Sequence, residues 1–238
     1  MKKWLFIACT FALVNWTSAT PIISFFNEMK SKELVALFQD TSIIPELLSM
    51  HAQIRMGILD MTPERANIIR ELNENDIPVF AWLLLPEDQG YWFNSSNGEQ
   101  AIRRYQEIKK WADSNHLKFS GIGLDLELDM NDVKLFKAHP WKLLFKLPPR
   151  LYDRGSVRLA KVTYQHLIQI IKNDGYAVES YYVPFIKDEA AIGNTSIQQL
   201  TKFLDIKTDR EIPMLYSSFM GNPDGMIKVY GIDANAKY

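Results

Sequence analysis

Ser120-Gly121-Ile122-Gly123-Leu124-Asp125-Leu126-Glu127-Leu128-Asp129 is the stretch that decides how this chain folds. Side chains of a strand alternate between faces with a period of two. Leu124, Leu126 and Leu128 therefore share one face, and Gly121, Gly123, Asp125, Glu127 and Asp129 share the other. A parallel strand covered on both sides is normally apolar on both. Carboxylates on its inward face need a reason, because burying an unpaired charge costs several kcal/mol. In a barrel of parallel strands they approach the C-terminal mouth, where active sites sit, and the two glycines clear space beneath them.

Strands and helices alternate on either side of this stretch. Ile22–Phe26 is a short apolar run, followed by a helical pattern from Ser31. Ile54–Leu59 reads as a second strand. Thr62-Pro63-Glu64 then supplies an N-cap with proline at the first helical position. Ile77–Leu85 is a third, strongly apolar strand, and Gly98–Asn115 is helical, with Ile102, Tyr105, Ile108 and Trp111 near 3.6-residue spacing. Phe119–Leu128 is the fourth strand. Ser156–Asn173 is helical, Tyr176–Phe185 is a fifth strand, Ser196–Leu204 a helix and Ile212–Ser218 a sixth strand. This order predicts an α/β fold with a parallel sheet and crossover helices. Six βα units in series favour a TIM-type (β/α)8 barrel over a doubly wound sheet. Gly121-Ile122-Gly123 also lacks the third glycine of a dinucleotide-binding turn. Eight units take roughly 250 residues; with six units read by Ser218 and twenty residues after it, the barrel is expected to lack its last one or two units.

The chemistry rests on carboxylates. Asp125 and Glu127 are two residues apart on one face, roughly 6.5–7 Å between Cα atoms. Neighbouring carboxylates push one pKa up, so one stays protonated as an acid while its partner is charged. That equips a site for general acid catalysis on a glycosidic oxygen. A solvated strand end with salt bridges to lysines is the bland alternative. Asp125, Glu127 and Asp129 are also hard oxygen donors, so a metal-dependent phosphodiester hydrolase is a further alternative. No histidine lies near them: His51, His116, His139 and His166 are scattered without metal spacing. No metal or other cofactor is assigned.

The Gly-Ile-x-x-Asp-x-Glu pattern of residues 121–127 is similar to the fourth-strand signature of the family-18 chitinase-like glycoside hydrolases. The resemblance implies Glu127 as the acid and Asp125 as the residue that orients the substrate acetamido group. Met214-Leu215-Tyr216 resembles the Met-x-Tyr-Asp of that family, which implies that Tyr216 contacts the reacting sugar. Ser120, Gly123 and Ser217 stand where the family carries aspartates. The family-25 lysozymes, which also place Asp-x-Glu on a barrel strand, resemble the stretch about equally.

Further residues join the same mouth if the barrel forms. Asp60 ends the second strand and reads equally as a helix cap. Glu87, Tyr91 and Trp92 follow the third strand, where exposed aromatics stack on sugar faces or fold into the core. Tyr181 and Tyr182 sit near the end of the fifth strand, so one of them faces inward, and Tyr182 is the candidate. The expected substrate-binding set is Tyr216, Asp129, Asp60, Trp92, Tyr182 and Glu87, around catalytic Glu127 and Asp125. Residues 131–155 form an insertion in which basic and apolar residues interleave; a packed helix with a solvated basic side is its simplest reading. A groove wall for an anionic polymer and a membrane-surface element are the others.

Lys2 and Lys3, the apolar run Trp4–Val14 and small residues at Thr17-Ser18-Ala19 have the layout of a secretory signal over residues 1–19. A first buried element of the fold is the alternative. Residues 20–238 then form one barrel-like domain. Without the signal, 25 of the 27 basic residues face 28 acidic ones, a net charge of -3, and the single cysteine, Cys9, is gone. Export without disulfides suits a secreted or periplasmic protein. The acidic balance argues against a nucleic-acid partner, and no membrane span is expected once the signal is removed. The expectation is an exported glycoside hydrolase-like protein acting on an amino-sugar polymer of the chitin or peptidoglycan type. A non-catalytic carbohydrate-binding or truncated barrel, completed in one version by a partner chain, is the alternative.

Overall fold

A computed structural model describes residues 22–127, 129–138, 154–183, 187–188, 191–194 and 196–215. The expected signal at 1–19, residues 139–153 of the insertion and Tyr216 lie outside these. Strands β1 (Ser24–Asn27), β2 (Gln53–Ile58), β3 (Val79–Leu83), β4 (Gly121–Leu126), β5 (Ala177–Tyr182) and β6 (Arg210–Pro213) form one sheet in sequence order. Every neighbouring pair is parallel. Helices α1 (Ser31–Phe38), α2 (Ile43–Ser49), α3 (Pro63–Glu74), α4 (Gly98–Ser114), α5 (Met130–Ala138), α6 (Arg154–Asn173) and α7 (Ser196–Thr201) fill the connections. The strand order never reverses, which is the singly wound arrangement and not the doubly wound one.

The sheet is strongly curled. On a flat sheet β1 and β5 would lie roughly 19 Å apart. Instead the rings of Phe26 on β1 and Tyr181 on β5 are 4.9 Å apart, and Arg55 on β2 pairs with Glu179 on β5 at 2.9 Å. The described residues thus form a half-barrel, with β1 and β6 at its two edges.

Periodicity explains the elements. Ile54, Met56, Ile58, Val79, Ala81, Leu83, Ile122, Leu124 and Leu126 alternate onto the convex face, where the helices bury them in one continuous core. α3 starts as expected: Thr62 Oγ1 accepts the Arg65 backbone N–H at 3.3 Å and Pro63 takes the first turn. On the same helix Arg65, fully buried, donates to the carbonyls of Met29 and Gly57 at 2.9 Å each. It thereby ties the loop after β1 and the end of β2 to α3.

Two expectations need correction. β4 is shorter than Phe119–Leu128, because regular pairing stops at Leu126. The insertion begins as helix α5, and Asp129 precedes it as a cap, with Oδ1 accepting the Asn131 N–H at 2.9 Å. A short helix, α2, also lies between α1 and β2, where the sequence reading had placed no element.

Candidate functional site

The concave face carries two layers of side chains. The lower one is ionic. Arg55 grips Glu179 through Nε and Nη2 at 2.9 and 3.0 Å, and its guanidinium lies 4.7 Å from the centre of the Phe80 ring. Arg210 reaches the same carboxylate at 3.5 Å. The Tyr181 hydroxyl donates to Glu179 Oε1 at 2.6 Å.

Above it, Phe26, Trp82 and Tyr181 meet edge-to-face, with centroids 5.5, 4.9 and 6.0 Å apart. They floor a pocket of about 230 Å³, walled by Ile212 and Met214 and entered by Asp125. The glycines of β4 make room for a ring in each layer. A Cβ on Gly121 would meet the Phe80 ring at 2.7 Å, and one on Gly123 would strike the Tyr181 hydroxyl. The space that the glycines clear is filled by these two rings.

Asp125 is the buried member of the carboxyl pair, only 1% exposed. Its Oδ2 accepts the Trp82 Nε1–H at 3.0 Å. As carboxylates, Asp125 and Glu127 have nothing to donate, and Asp125 Oδ1 then has no donor among the described residues. A proton shared with Glu127 is the donor that completes it. Burial first, and the Glu127 charge second, hold the Asp125 carboxyl well above the usual carboxylate range, against the Trp82 donor. Burial and then the Glu28 charge push Glu127 up to about 7, with the Asp125 hydrogen bond working the other way. The pair therefore keeps a proton at neutral pH, and Glu127, half-buried beyond the end of β4, is its outer member.

Glu28 is a participant that the sequence reading missed. It lies just beyond β1, in step with inward Ser24 and Phe26, and accepts a hydrogen bond from the Tyr91 hydroxyl. Its charge acts on both Asp125 and Glu127. The curl of the sheet brings the ends of β1 and β4 together, which no local pattern reveals. Tyr91 follows Gly90, and both take left-handed backbone, φ 62° and 104°. That conformation is uncommon for tyrosine and is held by a loop pinned on both sides. The Met130 N–H donates to Gly90 O at 3.3 Å, and Lys134 pairs with Glu87 at 3.0 Å.

The other expected residues are dispersed. Trp92, half-buried, stacks edge-on against Tyr91 at 5.3 Å and packs at the rim of the aromatic floor. Tyr181, and not Tyr182, faces the pocket; Tyr182 lies under the Lys187 ammonium at 5.3 Å, away from the pocket lining. Asp129 caps α5 and faces Lys202 at 3.7 Å. Asp60 binds Arg65 at 3.0 and 3.2 Å and Ser31 Oγ at 2.5 Å. Burial opposes its charge, but these donors and Thr62 hold its carboxyl well below the usual range. Glu87 is exposed, and the Lys134 hydrogen bond lowers its pKa.

Among the described residues, no three His, Cys, Asp or Glu side chains converge as a metal-binding group. No helix among them is long and apolar enough to cross a membrane. No protein-family model matches the chain, and no curated protein matches it.

Proposed function

We propose that this chain is a glycoside hydrolase of the (β/α)8-barrel type, acting on an amino-sugar polysaccharide of the chitin or peptidoglycan kind. In this reading the six-stranded half-barrel is the larger part of the barrel, and residues 1–19 direct export to the periplasm or medium. The observation that carries the reading is the acid pair at the C-terminal end of β4, Asp125 buried on the Trp82 indole and Glu127 beside it, whose carboxyl burial pushes up to about 7. A carboxylic acid still protonated near neutrality is what departure of a sugar alcohol requires. Glu127 protonates the glycosidic oxygen. Asp125 shares that proton and orients Glu127. Glu28 supplies negative charge at the same mouth, where an oxocarbenium-like transition state gains from it. The aromatic floor and Trp92 offer apolar faces to a sugar ring. The similarity of residues 121–127 to the family-18 and family-25 signatures agrees with Glu127 as the acid.

Release of reducing ends from chitin oligomers and from purified peptidoglycan tests the reading. Wild type is expected to release product, and Glu127→Gln to lose at least about a hundredfold in kcat while still binding polymer. Binding by both proteins, with release by neither, would make the chain a carbohydrate-binding barrel. Release abolished by EDTA and restored by Mg²⁺ would favour the metal-dependent phosphodiester reading, checked on a phosphodiester substrate.

A further inference from the structure

Asp125 presents its two oxygens to different neighbours. Oδ2 is occupied by the Trp82 indole, and Oδ1 has no donor among the described residues. We propose that Trp82 is a positioning residue: by holding Asp125 Oδ2 it turns Oδ1 toward Glu127 and makes that oxygen the one through which the two carboxyls share a proton.

The geometry favours this role over simple packing. An indole N–H only donates, so it holds Asp125 best when Asp125 is the anion of the pair. Trp82 is 7% exposed, and its ring is fixed edge-on against Phe26 and Tyr181. It pairs in register with Gly123, two residues before Asp125 on the same inward face. Rotation of the Asp125 carboxyl would strand the buried indole donor as well.

Burial and the Glu127 charge disfavour the Asp125 anion, and the Trp82 N–H is the donor that offsets them. Tyr181, on the adjoining strand, turns its hydroxyl down to Glu179. Arg55 is bound to the same Glu179. Glu28 acts on Asp125 only through its charge, the Tyr91 hydroxyl is given to Glu28, and Glu127 is the proton-sharing partner. Trp82 thus favours the arrangement with the anion on Asp125 and the proton on Glu127, the member nearer the mouth. For its catalytic meaning the inference rests on the glycosidase reading; its physical content does not.

The first test needs no substrate. In ¹⁵N-labelled protein, the Trp82 indole N–H resonance is expected to titrate with a midpoint near the Glu127 value of about 7. That resonance should vanish in Trp82→Phe and stop titrating in Asp125→Asn. An indole of Trp82 that does not move between pH 5 and 9 overturns the proposal. Should Trp82→Phe fail to fold, the wild-type and Asp125→Asn titrations still decide it.

The second test is the pH profile of polymer hydrolysis. Trp82→Phe is expected to lose about tenfold in kcat above pH 7 and much less below pH 6, with KM little changed, because only the singly protonated pair depends on the indole. An equal loss at every pH overturns the positioning role while leaving the glycosidase reading intact. A titrating indole in a protein that cleaves no polymer upholds the proposal and defeats that reading.

Discussion

The concave face of the sheet holds two sets of buried ionisable groups, resolved in opposite ways. In the lower layer Glu179 is met by Arg55 through two hydrogen bonds, by Arg210 and by the Tyr181 hydroxyl. In the upper layer Asp125 is met by a neutral indole and by another acid. The strands are the same, and so is the direction in which the side chains point. The lower layer neutralises its charge and fixes the curl. The upper layer leaves an acid beside an acid, which costs stability and keeps a proton where carboxylates ordinarily have none. A fold tolerates such a site when it is rigidly framed, and the framing comes from the ionic layer beneath it.

The largest break in this contrast is to unpair the lower layer. Arg55→Met leaves Glu179 buried with the partly exposed Arg210 as its remaining cation. It should cost about 3–5 kcal/mol in urea unfolding. A cost below 1 kcal/mol would mean that the layer is not what frames the site.

The upper layer should show its strain as a function of pH. Glu127 binds its proton more tightly in the folded chain than its ordinary value of 4.5, with a folded value of about 7. Its contribution is therefore fully present at low pH and is lost as pH rises from about 4.5 through 7. The unfolding free energy from urea titrations should drop by on the order of 2 kcal/mol across that window, and by clearly less in Glu127→Gln. Equal slopes in the two proteins would remove the basis for treating Glu127 as the acid.

The smallest expected effect has the opposite sign to the first. Asp125→Asn replaces a titrating proton with a fixed N–H donor to Glu127 and removes a buried charge. Stability at pH 8 should rise by about 1 kcal/mol while hydrolysis falls steeply. A loss of stability at pH 8 would show that the Asp125 carboxylate is better satisfied than the geometry implies.

These two layers also mark how far the sequence could be read. The alternation of β4 is local, so Asp125 and Glu127 were legible as an inward pair, and the order of strands and helices gave the singly wound sheet. Trp82 was hidden because both faces of Ile77–Leu85 are apolar, which leaves no signal for which side chains point inward. Tyr181 and Tyr182 differ by one step of register, and residue type alone cannot assign the face. Glu28 was invisible because its nearness to β4 is created by curvature. Asp129 was misplaced by carrying the alternation past Leu126, although an aspartate just before a helical run is itself a capping signal. Asp60 kept one of its two readings, as its carboxylate serves Arg65 and the start of α3.

The glycines of β4 carry a consequence for how this site can vary. Tyr181 of the pocket floor lies in the room that Gly123 leaves vacant, and Phe80 of the layer below in that of Gly121. Depth is thus written into the backbone of one strand, and the connecting loops decide only the rim. Any side chain introduced at position 123 must evict the Tyr181 hydroxyl from its seat, and with it a donor to the ionic layer below. Lineages that remodel specificity are expected to rewrite the loops freely and to leave this strand nearly frozen, since its smallest residues hold the shape of everything above them.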